Sequence, residues 1–140
     1  MVGLAGAAGS ASAAGSAVTD LRAAEQRLIG RVGHWTPARW AGTAAGKIIA
    51  GKTDKTTADK TTVDGPGRTR ADVVHALVQR LADLGAEAER RPRRAVPRLP
   101  SDPALTDQVR VMVADLARSG APESRLRVAA AAIDGTLAAL

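Results

Sequence analysis

The 140-residue sequence has no cysteine, no phenylalanine and no tyrosine, and its only aromatic residues are Trp35 and Trp40. Without cysteine, disulfides and thiolate metal sites are excluded, and the chain fits a cytoplasmic protein. With so few large side chains, a core must be built from alanine, leucine and valine. Such a core buries little apolar area per residue, so helices must approach closely, and self-association would relieve a marginal monomer. Long hydrophobic runs are also missing: no stretch approaches the ~20 apolar residues of a membrane span, so no membrane partner is expected. Histidine is scarce. His34 and His75 lie far apart, with no carboxylates at metal-ligand spacing. Ser10, Ser12 and Ser16 lie near the N-terminus, Ser101 and Ser119 at expected helix ends, and none sits in a nucleophile-elbow pattern. No catalytic set, metal site or cofactor site is expected, and the chain is not read as an enzyme.

The segment "MVGLAGAAGSASAAGSAV" has A-x-A-like steps but no Lys or Arg ahead of its apolar part, which glycines and serines interrupt. A disordered Gly/Ala/Ser leader over residues 1–17 accounts for it better than a secretory signal does. The remainder, 18–140, reads as a single helical domain.

Four amphipathic helices are expected there. The first runs from about Val18 to Val32, with Thr19 or Asp20 as cap and Leu21, Glu25, Leu28, Ile29, Val32 and Trp35 on one stripe. The second opens on "TRAD", a capping box of Thr69 and Asp72. It carries Val74, Leu77, Val78, Leu81 and Leu84, with Gly85 as a stop. The third opens on "SDP", with Asp102 as cap and Pro103 in the first turn. Its stripe is Leu105, Val109, Met112, Val113 and Leu116. The fourth begins near Pro122 and aligns Leu126, Ala130, Ile133, Leu137 and Leu140. With no strictly alternating segment, the expected fold class is all-α, a small bundle of about four amphipathic helices with a long low-complexity loop after the first.

That loop spans about residues 41–67. It holds all four lysines, Lys47, Lys52, Lys55 and Lys60, and the echo "DKTTA", "DKTTV". The compositional shift predicts a mobile insertion. Within it, "GKIIAGKT" (46–53) fits the phosphate-loop pattern letter for letter. A working phosphate loop joins a buried strand to a helix, so that backbone N–H groups face the phosphates. Neither "TPARWAGTAA" upstream nor "DKTTADKTT" downstream supplies that context, and Ile48 and Ile49 resist the tight curl. In "VMVAD", Asp115 reads as solvent-facing rather than as a magnesium ligand. Nucleotide is not an expected ligand.

The net charge is +6, and Arg90, Arg91, Arg93, Arg94 and Arg98 hold most of it. Pro92, Pro97 and Pro100 make "ERRPRRAVPRLP" a stiff, extended segment. Three readings follow: a solvated connection whose arginines pair with Glu87, Glu89 or helix ends; an anion or nucleic-acid contact; or, through Arg94, Pro97 and Pro100, a peptide docked into an aromatic groove. No aromatics interleave with the arginines, which weighs against nucleic acid. In "HWTPARW", Thr36 as cap and Pro37 after it put Trp35 and Trp40 at the positions of a hydrophobic staple. The same pair are the candidate interface aromatics.

The stretches "HWTPARW", "RADVVHALVQRLADLGAEAE" and "RPRRAVPRLPSDPALTDQVRVMVADL" resemble small uncharacterised helical proteins of high-GC bacteria. The resemblance implies a compact, cytoplasmic, mostly helical protein and carries over no catalytic or binding residue. The function expected from the sequence is a non-catalytic protein-protein interaction or self-association module. The alternative is nucleic-acid or polyanion binding through segment 90–98.

Overall fold

The structure, a computed structural model, describes residues 2–44 and 67–140. Among them are five helices and no strand. These are α1 (Val2–Val32), α2 (Pro37–Ala41), α3 (Arg70–Ala88), α4 (Ala104–Arg118) and α5 (Glu123–Ala139). The all-α class is as expected. The first helix differs from its expected bounds: it starts at Val2, so the Gly/Ala/Ser segment expected as a disordered leader lies within α1. Alanine has the strongest helix preference of any residue and no proline precedes Pro37, so nothing local stops the helix. Thr19, expected as its cap, instead sits mid-helix and donates its hydroxyl to Gly15 O at 3.0 Å.

The packing follows the stripes. α1 packs most extensively on α5 and also on α4, while α3 packs on α4 and α5. The four long helices therefore close into a ring, with α1 opposite α3 and α4 opposite α5. Leu21, Leu28, Val74, Val78, Leu81, Leu105, Val109, Val113, Leu116 and Ile133 fill its centre. Fully buried Ala17, Ala24 and Ala129 let α1 and α5 approach closely. Glu25 shares this face of α1 and is only 4% exposed; its hydrogen-bond partner is Arg22 at 3.4 Å.

Directions follow from side-chain ties. Arg70, at the start of α3, donates to Arg39 O and to Leu140 O, which ties α2, the short helix just after α1, to the C-terminal end of α5. Arg27 and Asp134 pair at 2.9 Å in the same sense, so α1 and α5 run parallel. Arg125 on the first turn of α5 meets Glu87 on the last turn of α3, so those two are antiparallel.

The ends of the expected 41–67 loop are pinned to each other. Thr43 and Thr69 form an antiparallel bridge, flanked by Ala44 N–H to Arg68 O at 3.0 Å and Arg70 N–H to Gly42 O at 2.8 Å. A Cβ on Gly42 would stand 2.3 Å from Arg70 Nη1, so a larger residue there would displace that guanidinium. The rest of that loop, including "GKIIAGKT" and the four lysines, lies outside the described residues.

Helix ends match the sequence in part. Thr69 and Asp72 form the capping box in both directions. Gly85 does not stop α3, which continues to Ala88 because glycine within a helix costs only about 1 kcal/mol. Asp102 does not cap α4: Pro103 occupies the N-cap position without a side-chain bond, and the Asp102 carboxylate faces Arg98 instead.

Candidate interaction surface

Residues 89–103 link α3 to α4, and their geometry follows from the direction of α4. The connection returns along α3 to its N-terminal end, so that α4 runs parallel to α3. A parallel pair needs a crossover long enough to span the helix. In polyproline geometry, four residues advance roughly 12 Å. Seven helical residues advance roughly 10 Å. That match is the observed register: Arg94 lies at Gln79, Val96 at His75 and Gln79, and Arg98 at Asp72. The prolines stiffen a segment that has to stay extended.

One polar stripe of α3 holds this strap. Gln79 acts as a strand edge would, accepting from Val96 N–H at 2.7 Å and donating to Arg94 O at 2.9 Å. The same amide also donates to Asp83 at 2.9 Å, which fixes its orientation. His75 Nε2–H donates to Val96 O at 3.1 Å. Val96 itself packs against the core. Asp72 uses both oxygens, one accepting from Thr69 N–H to cap α3 and the other accepting from Arg98 Nη1 at 2.9 Å. The Arg98 hydrogen bond, with the Thr69 amide, holds the Asp72 carboxyl below its usual range, and the Asp72 contact in turn raises Arg98.

The five candidate arginines are not equivalent. Arg91 pairs with Glu89, Arg93 with Glu87, and Arg98 with Asp72 and Asp102. Glu87 also receives Arg125, so it ties the strap to α5. Partial desolvation opposes ionisation of Glu87, but the two guanidinium groups outweigh it and its pKa is lowered. Arg90 and Arg94 make no ion pair among the described residues. Arg90 has a positive φ of 56° and ends α3 in a Schellman arrangement, with Arg91 N–H on Ala86 O at 2.7 Å and Arg90 N–H on Glu87 O at 3.2 Å.

Between the strap, α3 and α4 lies a cleft of about 310 Å³. Its walls include Leu81, Ala86, Met112 and Leu116, with Arg94 and Asp115 among the charged residues at its edge. Asp115 is exposed and pairs with Arg118 at 3.0 Å, as its solvent-facing assignment requires. Gly85 also borders the cleft, with open space where a Cβ would point.

The tryptophans lie elsewhere and form the staple. Thr36 caps α2, accepting from Arg39 N–H, and Pro37 opens the helix. The two rings meet edge to face at 5.2 Å. Arg39 and Arg70 stack on Trp35 at 5.2 and 5.7 Å. Trp35 is 7% exposed and Trp40 1%. Both rings are covered within the chain, by each other, by Arg39 and Arg70 over Trp35, and by the core.

The sequence pattern missed the anchoring stripe Asp72, His75, Gln79, Asp83. Its spacing of three, four and four residues is legible as one helix face. What that face holds depends on where the strap returns. The pairing of Arg91 and Arg93 with Glu89 and Glu87 was foreseeable from their proximity in sequence.

No family model matches the chain, and no curated protein or solved structure is significantly similar to it. No helix among the described residues is long and apolar enough to cross a membrane.

Proposed function

We propose that the chain is a non-catalytic, cytoplasmic protein-interaction module that binds a protein partner or a second copy in the cleft between the strap, α3 and α4. The observation that carries this reading is the cleft itself: about 310 Å³ of open space with an apolar wall, beside a strap fixed in its extended form. A preformed surface of this kind loses little entropy on binding. Three titratable side chains that face the strap are engaged in the fold, His75 on Val96 O and Asp72 and Glu87 on arginines. Peptide-like docking of Arg94, Pro97 and Pro100 into an aromatic groove is disfavoured, since Val96 faces the core with its N–H and C=O both used. Polyanion binding through Arg90–Arg98 is weakened in the same way: three of the five guanidinium groups already face carboxylates.

The test uses a photo-reactive residue in place of Asp115 in cells making the full chain, compared with the same protein carrying Gly85→Leu. A Cβ at position 85 meets open space, so the leucine can extend into the cleft that Gly85 borders. A discrete cross-linked species in the first protein, lost in the second while its melting temperature is maintained, is the expected result. No cross-link, or the same cross-link in both proteins, contradicts the reading.

A further inference from the structure

A second groove lies on another side of α3, where it packs on α5. Its volume is also about 310 Å³. Its floor is made of small and apolar residues, among them Val73 and Ala76 from α3 and Ala132 and Gly135 from α5. Gly135 is exposed and has open space above it. The charged residues lining the groove are Arg68 and Arg80, and no carboxylate lines it among the described residues. Both arginines are exposed, and neither makes an ion pair among the described residues. This separates them from the strap arginines, three of which face acids of their own chain.

We propose that the α3–α5 groove binds an acidic amphipathic helix of a partner protein. The inference takes its class of partner from the interaction-module reading, but its site is independent of the strap cleft. The floor sets the shape: Ala76 on one wall and Ala132, Gly135 and Ala139 on the other leave room for a helix backbone to come close, and an apolar helix face would be buried there. The arginines set the charge. Arg80 lies on α3 and Arg68 just ahead of its first residue, Arg70; the ten helical steps from Arg70 to Arg80 advance roughly 15 Å along the axis. Carboxylates about three turns apart on the incoming helix can therefore reach both. A second copy of this chain is a poor occupant, because it would bring its own two arginines to the same groove and its net charge is +6. A nucleic-acid backbone matches the charge but leaves the apolar floor uncovered.

The experiment titrates the full-length, ¹⁵N-labelled protein with an acetylated and amidated helical peptide of about 18 residues. The peptide has leucine and alanine on one face and glutamate on the flanks. Its partner control carries lysine for every glutamate, and a single-stranded oligonucleotide is titrated separately. Shifts at Val73, Ala76, Ala132, Gly135 and Thr136 with the acidic peptide, and none with the lysine peptide, are expected. Arg68→Gln with Arg80→Gln should weaken the acidic peptide about tenfold, since each rim charge contributes modestly. Gly135→Leu should abolish the shifts while the protein stays folded, because Gly135 is exposed and a Cβ there meets open space. Several results overturn the inference: no shifts, equal shifts with both peptides, shifts confined to residues 89–100, or oligonucleotide binding at the groove with the peptide silent. Binding here with no cross-link at Asp115 would sink the strap-cleft reading alone, and the reverse result would sink this one.

Discussion

The two connections that flank α4 solve opposite problems. The segment between α4 and α5 is four residues, 119–122: Ser119 closes α4 by hydroxyl donation to Leu116 O at 2.7 Å, Gly120 takes φ of 75°, and Pro122 leads into α5. Reversing direction needs only a short turn whose left-handed position is glycine. The segment between α3 and α4 is fifteen residues, 89–103, because it must carry the chain back along a helix before α4 can run parallel to α3. Its left-handed position is Arg90, not glycine. The short link is set by its own residues, whereas the long one needs side chains of another element to hold it. The comparison shows why one polar face of α3 is spent on hydrogen bonds to backbone rather than left to solvent.

That contrast can be broken most severely at Gln79. Gln79→Ala removes two hydrogen bonds to the strap and leaves the part-buried Val96 N–H without a partner. A loss of about 1–3 kcal/mol in chemical denaturation is expected, whereas Ser119→Ala in the short link should cost less than about 1 kcal/mol. The left-handed positions should respond with opposite signs. Gly120→Ala is expected to cost about 1 kcal/mol, and Arg90→Gly to stabilise by roughly 0.5–1 kcal/mol, both read from thermal melts.

Acid should loosen the long link and spare the short one. Asp72 and Glu87 have lowered native pKa values, so their contribution is full above the ordinary carboxylate range. It is lost as pH falls through those lowered values, below about pH 4. Asp72→Asn keeps a side chain able to accept from Thr69 N–H but loses the charge facing Arg98. Its stability should therefore fall less steeply with acid than that of the natural protein, in denaturant titrations between about pH 5 and pH 2. The smallest effect is expected at Arg91, an exposed residue paired with an exposed neighbour: Arg91→Ala should change stability by less than about 0.5 kcal/mol.

Much of the bundle was legible before any coordinates. Local chemistry specifies the capping box at Thr69 and Asp72, the staple at Trp35 and Trp40, and the apolar stripes of α3 and α4, and each depends on residues within a few positions of one another. The start of α1 was not legible in the same way. Gly and Ser at Gly3, Gly6, Gly9 and Ser10 suggest a flexible leader, yet the alanines between them sustain helix when nothing stops it. Asp102 was misread because an N-terminal cap and an arginine compete for one carboxylate, and Arg98 is brought to it by the strap. The candidate site was the least legible part. The arginines and prolines of 90–98 announce a stiff basic segment, but which charges stay available depends on acids that the fold places opposite them. Arg98 meets Asp72 across 26 positions. The groove bounded by Arg68 and Arg80 has no sequence signature, since its two walls come from α3 and α5.

The fixed strap is the element on which the cleft depends, and amide hydrogen exchange across residues 89–103 tests it most directly. Val96 N–H should exchange far more slowly than the amides of Arg93, Arg94 and Ala95, and that protection should vanish in Gln79→Ala while the amides in the middle of α3 stay protected. Exchange at Val96 as fast as at its neighbours in the natural protein would mean that the strap is not held against α3 and that no preformed cleft exists beneath it.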